Sequence, residues 1–157
     1  MRVRLRRRLV VCLLISTAAG VTLAQSASAG EHLTRKAFQK EANQVCQVAY
    51  DAIAKVFENT LGGVGSGDSL PPERIAAAAN GALFVFRGSL DRIEGLDGPA
   101  AYEKQVDRML DQYRVVADRI EHDPQIIFDD RGIFGKPDNV ARRLGLRRCV
   151  QEPSRNP

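Results

Sequence analysis

The side chains able to do chemistry are few and scattered. Histidine occurs twice, at His32 and His122, and cysteine three times, at Cys12, Cys46 and Cys149. His122 follows Asp118 by four positions and Glu121 by one, so on a helix Asp118 and the imidazole share a face. That group is the barest outline of acid–base catalysis. The plainer reading is surface electrostatics at a helix C-terminus, where positive charge is favoured. Larger constellations are missing from the sequence: it has no E-x-x-H pair for a di-iron bundle, no H-E-x-x-H for zinc and no C-x-x-C-H for haem. Met109 falls on an apolar stripe, where its default role is packing. No catalytic residue, resident metal or cofactor is therefore assigned. Asp123, Asp129, Asp130 and Asp138 offer oxygen atoms to calcium, but their spacing does not match the EF-hand loop, and a plain polar loop is the simpler reading.

One basic cluster stands out: Arg142, Arg143, Arg147 and Arg148. Were the helix to continue, Arg143 and Arg147 would share a face. The cluster is a candidate partner-binding patch for an anionic cell-wall polymer or a protein. The alternative is an ordinary solvated helix face. The glycine-rich run Gly62 to Leu70 (GGVGSGDSL) lacks both the preceding strand and the Gly-Lys-Ser/Thr end of a phosphate cradle, so it reads as a flexible loop.

The compartment decides how the cysteines behave. The chain has 157 residues, 23 basic and 19 acidic, a formal charge of +4. Residues 1–29 hold five arginines and no acid; the remainder carries 18 basic against 19 acidic residues. The basicity therefore belongs to the N-terminal segment, and nucleic-acid binding loses its main support. That segment reads as a cleaved signal peptide: a basic start (Arg2 to Arg8), an interrupted apolar stretch (Leu9 to Ala24) and a small-x-small site at Ala27-Ser28-Ala29. It is too short and broken for a retained spanning helix. Cys12 sits before most of that stretch rather than after it, so it is discarded with the signal instead of carrying lipid. The expected product starts at Gly30 and is secreted. In an oxidising compartment, Cys46 and Cys149 are expected to form a disulfide. Chain-entropy arguments give about 4.7 kcal/mol for closing so long a loop, and real bonds give roughly 2–4.

Helical periodicity supplies the elements that position these residues. Phe38, Ala42, Val45, Ala49, Ala52 and Val56 step by four and three along a helix over about 33–60. Thr34 caps it and Gly62-Gly63 stops it. Pro71-Pro72 opens a second helix, whose stripe is Ile75, Ala79, Ala82, Phe86, Leu90 and Ile93. Leu83, Phe84 and Val85 lie off that stripe, so burial over more than one face is expected. Ala76 to Ala79 and Gly81 permit a close helix neighbour. The third helix, about 99–122, has the cleanest stripe: Tyr102, Val106, Met109, Tyr113, Val116 and Ile120. Residues 125–134 are ambiguous between short helix and packed loop. Pro137 is expected to start a last short helix that stops at Gly145. The predicted fold is all-α: an antiparallel four-helix bundle with an irregular fourth element and one disulfide, spanning 30–150, with a mobile tail over 151–157.

Two patches, Phe38-x-x-x-Ala42-x-x-x-Cys46 and Ala141-x-x-Leu144-Gly145-Leu146-x-x-Cys149, give the chain a resemblance to small secreted and lipoprotein-type helical proteins of actinobacteria. The resemblance implies a helical bundle whose second cysteine closes back onto the first helix. It implies no activity. The function expected from sequence is a non-enzymatic binding module at the cell envelope. The alternative is an extracellular carrier with an apolar inter-helix pocket lined by Phe84, Phe86, Phe128, Phe134, Tyr102 and Tyr113.

Overall fold

The structure, a computed structural model, describes residues 32–62, 70–129 and 132–151, with the backbone alone at 129. The expected signal segment 1–29, the glycine loop over 63–69, Asp130 and the tail beyond Gln151 lie outside the described residues. Among the described residues the fold is all-helical. Helix α1 spans Arg35–Leu61, α2 Pro72–Glu94, α3 Glu103–His122, the one-turn α4 Ile126–Asp129 and α5 Gly135–Leu144, followed by a 3-10 turn at Arg147–Cys149.

Each helix starts and stops for a local reason. The Thr34 hydroxyl accepts the Ala37 N–H at 3.3 Å and so opens α1. Arg74 of α2 donates to the Thr60 and Gly62 carbonyls at the far end of α1, which no intrahelical N–H can reach. Pro72 sits at the first position of α2. Helices α1 and α2 run antiparallel: the Leu33 N–H meets the Asp97 carbonyl at 2.7 Å at one end, and Gly81 packs on Val56 toward the other. A Cβ at Gly81 would lie 2.8 Å from a Val56 methyl, so glycine sets this approach. Helix α3 begins at Glu103, later than the expected 99, because Pro99 to Tyr102 forms the turn that reverses the chain, with Tyr102 N–H bonded to the Pro99 carbonyl.

The stripes bury nearly as read. Val106, Met109, Tyr113, Val116 and Ile120 of α3 are all buried. Val106, Met109 and Tyr113 pack with Phe38 and Ala42 of α1, Leu90 and Ile93 of α2, and Leu144 of α5, while Val116 and Ile120 pack with Ala79 and Leu83 of α2 and with Ile133. The expected burial of α2 over several faces fails at Phe84. Leu83 is buried, but Phe84 is 83% exposed, because it points away from both neighbouring helices. Of residues 125–134, those described form the short α4 and a turn over 132–134, with Ile133 buried against α2 and α3. Helix α5 starts at Gly135, two residues before the expected Pro137. The proline is tolerated because its missing N–H falls in the first turn, where no intrahelical partner exists.

The end of α5 is fixed by a left-handed residue, Gly145, at φ +79°. Its N–H reaches the Arg142 carbonyl at 3.1 Å, and the Leu146 N–H reaches the Ala141 carbonyl at 2.9 Å. This turn separates Arg143 from Arg147, so the two do not share a helix face as the continuous reading would place them. A Cβ at Gly145 would lie 2.5 Å from the Gln39 amide nitrogen. Gly145→Ala therefore combines backbone strain with a clash and is expected to cost about 2 kcal/mol. Urea denaturation of the two proteins checks this; equal midpoints would contradict it.

Candidate functional site

The polar residues of α1 grip the chain beyond α5. The Gln39 side chain donates to the Leu144 carbonyl at 2.7 Å. The Asn43 amide donates to the Gly145 carbonyl at 3.1 Å, and its oxygen accepts the Arg148 N–H at 2.8 Å. One turn further, Cys46 is joined to Cys149, with Cα atoms 5.0 Å apart. Positions 39, 43 and 46 step by four and three, so they form one stripe of α1. The expected disulfide is present, and two amide side chains that sequence reasoning passed over extend it into a clamp. Neither residue type signals a contact until α5 brings its last carbonyls to α1.

A buried polar group lies behind the clamp. The Tyr113 hydroxyl is 2.8 Å from Asp138 Oδ1 and 2.9 Å from the Cys149 carbonyl. Asp138 Oδ1 also accepts the Gln151 N–H at 3.2 Å. Gln151, expected to open a mobile tail, is therefore tied down. Asp138 is 3% exposed. Burial pushes its carboxyl above the usual range, against the opposing pull of the Tyr113 and Gln151 bonds and of the Arg142 charge. Burial likewise pushes the Tyr113 hydroxyl far up, followed by the nearby Asp138 charge. Phe86 and Phe134 meet the Tyr113 ring edge-on and tilted, with centroids 5.6 and 6.5 Å away.

Outside the clamp stand the four arginines. Arg142, Arg143, Arg147 and Arg148 are all exposed. Arg142 donates to Asn139 at 3.2 Å. Among the described residues, none of the four lies within 4.0 Å of a carboxylate. The arginines of α2 and α3 are placed differently. Arg87 holds Asp118 at 2.9 Å and Glu121 at 2.7 Å, and Arg114 holds Glu94 at 2.8 Å and Asp91 at 3.6 Å. These pairings keep the Glu121 and Glu94 carboxyls below their ordinary range.

The other sequence candidates do not assemble. Asp118 and Glu121 converge on Arg87 rather than on His122, which is exposed. Asp123 accepts the Gln125 N–H, while Asp138 is buried with Tyr113; the Asp129 side chain and Asp130 lie outside the described residues. Among the described residues no cluster of three His, Cys, Asp or Glu could hold a metal. The aromatic residues proposed to line one pocket are dispersed. Phe84 faces solvent, Phe128 is 44% exposed, and Tyr102 lies under the Arg35 guanidinium at 5.3 Å. Phe86 and Phe134 do border an apolar inter-helix space with Ile120 and Ile127, of about 100 Å³. A wider, open groove of about 790 Å³ runs along α1 and α2 beside Val48, Phe84 and Gly88.

No described helix is long and apolar enough to cross a membrane. No family model, curated protein or solved structure matches the chain.

The raised Asp138 carboxyl fixes the sign of one pH dependence. The folded chain holds this proton more tightly than the unfolded chain. The group's contribution to stability is therefore fully favourable below the ordinary carboxylate range and declines as pH rises through the raised value. Asp138→Asn keeps an acceptor for Tyr113 and has no charge to bury. The wild-type urea midpoint should fall relative to the variant's between acid and neutral pH. A wild-type midpoint that rises relative to the variant would reverse the assignment.

Proposed function

We propose that the protein is an exported, non-enzymatic binding module that uses Arg142, Arg143, Arg147 and Arg148 to hold an anionic component of the cell envelope. One observation carries this reading: these guanidinium groups are exposed and lack a carboxylate partner among the described residues, whereas Arg87 and Arg114 are neutralised by their neighbours. An exposed cluster of one sign attracts the opposite sign from solution, with a strength that falls as salt rises. Export is supported by the Cys46–Cys149 bond, which suits an oxidising compartment. The carrier reading draws less support. The inter-helix space beside Phe86 and Phe134, of about 100 Å³, is well below the roughly 300–1,000 Å³ typical of small-molecule sites, and the groove of about 790 Å³ beside Phe84 lies open to solvent instead of enclosing a ligand.

Two measurements test the proposal. Mass spectrometry of the protein recovered from culture medium should give a chain starting at Gly30, two hydrogens lighter than the dithiol. A chain retained with residues 1–29 in the cell contradicts export. Co-sedimentation with protein-stripped cell walls of the source cells should fall about tenfold when the four arginines become glutamine, with the circular dichroism unchanged. Undiminished sedimentation contradicts the arginine assignment.

A further inference from the structure

Two lysines share the surface that the arginines occupy. Lys36 and Lys40 are exposed on α1. On a helix, residues 36, 40 and 43 follow one another at steps of four and three, so the lysines border the Gln39–Asn43–Cys46 stripe. That stripe holds the backbone of residues 144–149. Lys40 lies one helical turn before Asn43, whose side chain bonds the Arg148 N–H, so the lysine row of α1 runs toward the exposed Arg147 and Arg148 of the 3-10 turn. Neither lysine lies within 4.0 Å of a described carboxylate. Residues 35–40 and 142–148 are remote in sequence, and the clamp is what makes them one surface.

Resting on the arginine reading above, we infer that this surface is a composite cationic strip, Lys36 and Lys40 on one side and Arg147 and Arg148 on the other, that takes a linear polymer of phosphate groups. The mixture of donors favours phosphate. In a phosphate chain every unit is charged and projects its non-bridging oxygens to either side of the chain, toward a guanidinium fork on one side and an ammonium point charge on the other, whereas the carboxylates of an acidic polypeptide sit on flexible side chains that must first be ordered. The surface favours a polymer over a lipid bilayer. The exposed large apolar residues, Val48, Tyr50, Phe84, Val115 and Phe128, are none of them in the strip, and membrane-surface binders bury apolar side chains between lipids.

The test uses the folded, oxidised protein and long-chain sodium polyphosphate, titrated at several salt concentrations. Lys36→Gln with Lys40→Gln, and separately Arg147→Gln with Arg148→Gln, should each weaken binding about tenfold at low salt. Each pair should also lower the slope of log affinity against log salt by between one and two. A control pair away from the clamp, Lys55→Gln with Lys104→Gln, should leave the slope unchanged. If the lysine pair changes nothing while the arginine pair does, the composite strip is overturned and the arginine reading stands. If neither pair matters, both are overturned. Equal affinity for polyglutamate overturns the phosphate assignment. Binding to phosphatidylglycerol vesicles without binding to polyphosphate overturns the polymer. As all four residues are exposed, unchanged circular dichroism and thermal midpoints identify any loss as one of binding.

Discussion

A helix that stops inside a protein leaves carbonyl groups without partners, and burying them unbonded costs about 1–3 kcal/mol each. Much of this structure follows from how that constraint is met. At the end of α5 the partners come partly from Gly145 and Leu146, and partly from Gln39 and Asn43 on α1. The same answer recurs at the end of α1, where Arg74 takes the Thr60 and Gly62 carbonyls. In each case one helix completes another, so the bonds that finish a helix also set which helices are neighbours. With residues 144–149 held this way, Leu144 and Leu146 fall onto the core and Cys149 lies opposite Cys46. Tyr113 then has a carbonyl within reach of its buried hydroxyl.

The sequence was most legible where one cause governs a position. The α3 stripe from Val106 to Ile120 read correctly because burial alone dictates it. The disulfide was legible from the even count of cysteines left after the N-terminal segment. Phe84 was misread because its apolar character marks it for burial, while its angular position on α2 points it away from every neighbour. The placement of Arg147 relative to Arg143 was not legible, because a glycine signals that a helix stops, as Gly145 does, without specifying where the chain goes next. The roles of Gln39 and Asn43 could not be read at all. An amide on an amphipathic helix looks like solvent-facing filler until a carbonyl 105 positions away arrives beside it.

Charge is distributed with the same logic. Along α2 and α3, acids and arginines cross-link neighbouring helices, each exposed pair contributing little and together marking the register. From Lys136 to Arg148 the only acid is Asp138, and it is turned inward to Tyr113. The segment's one negative group is thus withdrawn from the surface, where it feels the Arg142 charge, and the guanidinium groups face water with no carboxylate within 4.0 Å among the described residues. A chain near electrical balance outside residues 1–29 therefore presents a locally cationic end.

The topology of the clamp also bears on how the polypeptide reaches this state during synthesis. Helix α1 emerges early, yet Ala42 and Phe38 are covered in part by Leu144, Leu146 and Cys149, which emerge about a hundred residues later. Until then the apolar side of α1 has only α2 and α3 to shelter it. Closure over so long a separation is entropically slow. An incomplete chain therefore leaves an apolar side of α1 partly uncovered, and arrival of the segment around Cys149 completes its cover.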